Sequence, residues 1–239
     1  YIAENIGQTG QKVATAFVPD GMSDGNGGIF REDDYDYPDA DSHGYYTAEY
    51  DFDAAKAEAT ELLESIGYKF NDDGTLSDEN PISVEYLINE NTAHQAIAEA
   101  IQSDWSSIGV DVTIKTEEWD TFLNDRKAGA FSIAREGWIA DYDDPINMLE
   151  IFTSDSGNND AQLGKNPENS ATPDWTAYDN LISEIRTTTD NTARVQMLHQ
   201  AEDMLMDTWA AVPIYFYNDD YMCKTNVTGI YNTKFGTKY

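Results

Sequence analysis

Two kinds of hydrophobic period alternate through the middle of this chain, and that alternation limits the folds open to it. "ISVEYLIN" (Ile82–Asn89) is apolar and β-branched, the composition of a buried strand. Thr92–Ile108 then places Ala93, Ile97, Ile101, Trp105 and Ile108 on one helical stripe, with Gly109 after it. "VDVTIKTE" (Val110–Glu117) alternates as a strand does, "EWDTFLNDRKAG" reads as a short helix, and "FSIAREGW" (Phe131–Trp138) as a further strand. Such a succession predicts an α/β fold, a mixed sheet flanked by helices.

Other helices are expected on either side. Asp53–Ile66 carries Ala55, Ala59, Leu62, Leu63 and Ile66 on one face, with Asp53 as N-cap and Gly67 as terminator. Pro173–Arg186 turns Trp175, Tyr178, Leu181, Ile182 and Ile185 inward. Asn191–Trp209 does the same with Val195, Leu198, Ala201, Leu205 and Trp209. "AVPIYFYN" and "YMCKTN" read as two last strands, the second carrying the single cysteine, Cys223, as a structural residue. No repeat or Ser/Gly-rich linker divides the chain, so one lobe is the economical expectation for residues 1–239. The opening "YIAENIGQTGQ" reads as the middle of a helix and the closing "YNTKFGTKY" has no cap. We therefore expect a piece of a larger protein.

Charge excludes some functions. Fourteen basic residues face 45 acidic ones, a net charge of −31, and such a surface repels nucleic-acid phosphates and anionic lipid. No nucleic-acid partner is expected, while cationic and zwitterionic ligands are compatible. With 40% hydrophobic and 12% aromatic residues, the chain folds despite its charge. Residues 18–50, rich in Gly, Asp and Tyr, have neither period and should wrap a surface as a long, solvated acidic loop. It fails as a calcium loop, because Met22 stands where "DGMSDGNGG" needs an oxygen ligand and "DDYDYPDADS" lacks the turn glycine.

Catalytic signatures are absent: there is no phosphate-binding glycine loop, no G-x-G-x-x-G after a strand and no serine nucleophile elbow. One cysteine makes no intramolecular disulfide, and His43, His94 and His199 lack metal-ligand spacing. His94 and His199 are read as helix-surface residues, and Trp105, Trp175 and Trp209 as core. We expect no enzyme activity, no metal and no cofactor. A carbohydrate hydrolase or a calcium-dependent surface module would be the alternatives.

One stretch does concentrate chemistry: "REGWIADYDDPIN" (Arg135–Asn147). A strand would deliver Arg135–Trp138 to the carboxyl edge of a sheet, where open α/β folds bind ligands. Asp143 or Asp144 can cap the helix that Pro145 opens. Asp141 comes too early for that duty and is freer to hold a cation such as an ammonium group.

"GWIADYDDPINML", then "FTSDSGNND", then "AVPIYFYNDDYMCKTNVTGIY", with "YDFDAAKAEATELLESIGY" and "SDWSSIGVDVTIKTEEWDTFL" upstream, resembles the extracytoplasmic solute-binding proteins of ABC importers, the oligopeptide/dipeptide family. The resemblance covers nearly the whole chain in order. It implies a periplasmic-binding-protein type II-like lobe, the C-terminal of two lobes that close on a peptide. The N-terminal lobe would lie outside this chain. It also implies peptide binding by strand addition, and Asp141 as the partner of the peptide α-ammonium. Arg135 would lie in the cleft and meet a carboxylate. Trp138 and Ile139 would line the wall, with Gly137, Ala140 and Tyr142 completing the ligand-binding set. Oligopeptides are favoured over dipeptides, nickel chelates, haem or sugars, which other members bind. The implied partners are an oligopeptide and ABC permease subunits, the protein itself being a monomer. The implied location is extracytoplasmic, either lipid-anchored at the cell surface or periplasmic.

Overall fold

The computed structural model describes residues 1–49, 51–166 and 174–231. In chain order the elements are β1 (Lys12–Val13), α1 (Phe52–Ser65), β2 (Ser83–Asn89), α2 (Thr92–Ser106), β3 (Asp111–Glu117) and α3 (Trp119–Lys127). They continue with β4 (Ile133–Ala134), α4 (Ile146–Leu149), α5 (Thr176–Thr187), α6 (Asn191–Met206) and β5 (Tyr215–Phe216). The fold class is α/β, as the alternating periods require. The chain divides into two compact units: Tyr1–Gly7 with Glu49–Glu136, and Gln8–Ala48 with Gly137–Tyr239.

The first unit is a parallel sheet of order β3-β2-β4 with helices against it. Central β2 pairs with β3 along its whole length, Ser83 opposite Asp111 through Asn89 opposite Glu117. It pairs with β4 only at Tyr86–Ile133 and Leu87–Ala134. A central parallel strand is covered on both faces, so Leu87 and Ile88, of opposite side-chain direction, are both fully buried. Tyr86, Ile88, Ala98, Ile108 and Val112 share one core cluster, while α3, with its fully buried Phe122, packs on the sheet as well. Gly109 is needed where α2 ends: its φ is +85°, and a Cβ there would lie 2.6 Å from the Leu76 backbone nitrogen.

Several expectations for this unit change. Asp51, not Asp53, caps α1, accepting from the Ala54 amide at 2.9 Å. Only Ala59 and Leu63 of the expected α1 face reach the core; Leu62 and Ile66 are exposed. Trp105 is exposed too, at the end of the α2 stripe. The strand expected over residues 131–138 pairs at only two residues, and the Leu87 carbonyl takes the Arg135 amide at 2.9 Å just beyond them.

The second unit is held by α4, α5 and α6 around Leu149, Tyr178, Ile182, Ile185, Leu198 and Leu205. All five inward residues expected of α5 are buried, although Pro173 lies outside the described residues. Trp175 stacks on Tyr178 with centroids 4.6 Å apart, its indole donating to the Phe152 carbonyl. Helix α6 stops at Met206. Trp209 follows it with φ +56° and is 68% exposed, so it is not a core residue. "YMCKTN" forms no strand, and Cys223 is exposed. "AVPIYFYN" supplies only β5, antiparallel to β1.

The acidic segment departs furthest from its reading as a solvated loop. Its backbone is irregular, yet Val18, Met22 and Phe30 enter the core. Arg31 is buried and pairs with the fully buried Glu202 of α6 at 2.8 Å. The other oxygen of Glu202 accepts from the Val18 and Phe17 amides at 2.7 and 3.1 Å. His199, expected at the surface, is 1% exposed. Its ring lies stacked between Phe30 and Tyr35, with centroids 4.0 and 4.1 Å away. One ring nitrogen meets Asp33 and the other Tyr37, both at 3.2 Å. Burial holds His199 down at about 4, seconded by Arg31. Burial likewise raises Glu202 to about 7 against the pull of Arg31. Among the described residues, no helix is long and apolar enough to cross a membrane.

Candidate functional site

The residues singled out in "REGWIADYDDPIN" fall in both units. Arg135 belongs to the first, where it sets up a coulombic field that lowers the neighbouring His94 after burial has done so. Gly137 to Tyr142 belong to the second. A Cβ at Gly137 would meet the end of the exposed Tyr217 ring, which would have to move aside. Ile139 is 61% exposed, whereas Ala140 packs against the core.

Trp138 and Asp141 line one cavity of about 380 Å³. Asn147, Glu150, Ile151, Thr153, Asp155, Ser156, Asn158 and Arg186 complete its wall. The three aspartates of the loop have separate tasks. Asp143 accepts from the Ser23 amide at 2.8 Å, tying the loop to the acidic segment. Asp144 accepts from the Ile146 amide at 3.0 Å and pairs with Arg194 at 2.9 Å, so it, and not Asp143, satisfies the start of α4. Asp141 is exposed, and only its backbone amide is engaged, by the Asn147 side chain at 2.9 Å. Among the described residues, no hydrogen bond or ion pair engages its carboxylate.

Of the two other carboxylates in this wall, Asp155 is exposed and Glu150 is already paired. One oxygen of Glu150 accepts from the Tyr142 hydroxyl at 2.9 Å, and the other from Arg186 at 2.9 and 3.3 Å. Burial and this bond raise the Tyr142 hydroxyl above its usual range, keeping it a donor. A cation entering the cavity therefore meets Asp141 as a carboxylate with unspent acceptor capacity.

Asn147, Glu150 and Arg186 were not anticipated from the sequence. Asn147 carried a faint signal, a polar residue inside the apolar run "PINML". Arg186 carried none, being 36 residues from its partner.

Fold and cavity together define the class: a type II periplasmic-binding-protein architecture. The Haemophilus influenzae OppA structure in complex with RPPGFSPFR superposes with a TM-score of 0.68 at 27% identity, covering 90% of this chain and 36% of that one. The Escherichia coli murein tripeptide binding protein MppA gives the same TM-score, 0.68, again at 27% identity and over 90% and 36% of the two chains. Residues 1–160 match the family described as "Bacterial extracellular solute-binding proteins, family 5 Middle", and the chain belongs to that family. The oligopeptide-binding protein OppA of Bacillus subtilis is 31% identical over 96% of this chain and 37% of its own length. The periplasmic oligopeptide-binding protein OppA of Salmonella typhimurium is 34% identical over 72% and 28%. The matched part of this chain thus spans 37% of one of these relatives and 28% of the other.

Proposed function

We propose that this chain is the part of an extracytoplasmic receptor that grips the amino end of a peptide, for delivery to an ABC permease. It would carry out capture without chemistry. The carrying observation is the exposed Asp141 carboxylate, unengaged beside a polar cavity while the neighbouring Glu150 is already paired. An ammonium group seated there would gain a charge-assisted hydrogen bond. The oligopeptide-binding names of the relatives agree with this chemistry. Arg135 as a partner for a ligand carboxylate is a separate part of the same proposal. So are the monomeric state, the C-terminal-lobe assignment, and the location, lipid-anchored or periplasmic.

The test is Asp141→Asn in the full-length protein, titrated calorimetrically with a peptide and its N-acetylated form. Loss of a bond to a charged group should weaken the free-amino peptide about tenfold or more. The acetylated form should change little. Equal loss for both peptides sinks the assignment. This chain alone should bind far more weakly than the full-length protein, because a ligand held by one wall remains half solvated.

A further inference from the structure

We propose that Asn147 is a positioning residue for ligand binding, a clamp that fixes the separation between the Trp138 indole and the Asp141 carboxylate. The inference rests on the proposed ligand role of Asp141.

A single oxygen atom carries the geometry. Asn147 is 4% exposed, and its Oδ1 accepts two hydrogen bonds, from the Trp138 indole N–H at 3.3 Å and from the Asp141 backbone N–H at 2.9 Å. Both donors belong to the stretch that lines the cavity, and Asn147 lines it too. The acceptor is itself held in place, because Asn147 lies in α4 between the buried Ile146 and Met148. Asp144 and Arg194 secure the start of that helix.

The clamp is not redundant with packing. Trp138 and Ala140 pack against the core through apolar contact, but Ile139 is 61% exposed and Asp141 is exposed, so packing does not hold the Asp141 end of the stretch. A carboxylate on a loosely held backbone would have to be ordered when ligand arrives, and that ordering opposes binding. Two bonds to one buried oxygen order it in advance. An apolar residue of similar size would also strand the indole and amide donors, which adds to the pressure on the stretch to move.

The test uses the full-length protein and two readouts: hydrogen exchange of the Asp141 amide, and affinity for a free-amino peptide against its N-acetylated form. Asn147→Leu should accelerate Asp141 amide exchange and weaken the free-amino peptide about tenfold, while the acetylated peptide changes less than about threefold. Asn147→Asp keeps the acceptor oxygen and should keep the Asp141 amide protected from exchange, a result unexpected of mere volume filling. Asn147→Ala carries the same prediction as Leu, so failure of the bulkier variant to fold leaves the test standing. Wild-type preference in the Leu or Ala variant overturns the clamp. Asp141→Asn separates the two readings. If it leaves the free-amino preference intact, the ligand role of Asp141 falls. If it abolishes the preference while Asn147→Leu keeps it, only the clamp falls.

Discussion

Ile88 in the first unit and Glu202 in the second are both fully buried, yet their surroundings differ in kind. Ile88 sits in a central parallel strand among aliphatic and aromatic neighbours, and that strand pairs with β3 along its whole length. Glu202 sits on a helix against an irregular segment, and its carboxylate satisfies an arginine and two backbone amides that no secondary structure serves. Where the backbone is regular, apolar side chains suffice to fill the interior. Where it is irregular, its unpaired amides need buried acceptors, and those acceptors need countercharges. Within residues 18–48, Asp24 is buried and accepts from the Asn26 and Gly28 amides, so the acidic composition of that segment is partly internal structure and not only a solvated face.

The difference can be broken experimentally, most severely at Glu202. Glu202→Ala leaves the Arg31 guanidinium and the Phe17 and Val18 amides without their buried acceptor. It should cost about 3–5 kcal/mol in chemical denaturation. A loss below about 1 kcal/mol would show that the segment does not depend on this group. Ile88→Ala comes next, at about 3 kcal/mol from lost burial and a residual cavity. Its cost should be the same at pH 5 and pH 8, since its core cluster presents no ionisable group that titrates there.

A pH series sharpens the contrast. The Glu202 carboxyl is raised from 4.5 to about 7 by burial, so the folded state holds its proton more tightly than the unfolded chain. Its contribution is thus fully present below about 4.5 and is lost as pH rises through 7, on the order of 3 kcal/mol. His199 acts in the opposite sense: lowered to about 4, it costs stability as pH falls from 6.5. Subtracting the profile of Glu202→Gln from that of the wild type isolates the carboxyl. A flat difference between pH 4.5 and 7 would exclude its titration. The smallest effect belongs to the first unit. Asp51→Ala removes the cap accepted from Ala54 and should cost about 1 kcal/mol, read as a lower melting temperature. An unchanged value would return the capping role to Asp53.

Legibility followed the same division. The β2–α2–β3–α3 succession could be read within one or two residues, because each element announces its own period and ends at its own glycine or cap. The inward face of α5 was equally plain. The shared fate of Phe30, Tyr35 and His199 was not, since no local period places an aspartate-rich loop over a helix 160 residues away. Trp209 and Cys223 were misplaced for a related reason. Trp209 was read as continuing a helix that ends at Met206, and Cys223 as part of a separate strand that does not form.

At the candidate site, chain order alone identified Asp141 as the aspartate outside capping distance, and left Asp143 and Asp144 as rivals. Only the folded backbone parted those two, by bringing the Ser23 amide to one and Arg194 to the other. The sequence determined the α/β class, the main helices and the carboxylate that local structure does not consume. Tertiary structure decided that Glu150 is already spent on Arg186 and Tyr142, and that one buried asparagine oxygen holds both Trp138 and Asp141. The physical reason is one of range. Periodicity and capping act over a few residues, but the partner of a buried charge is set by whatever chain packing brings within about 3 Å.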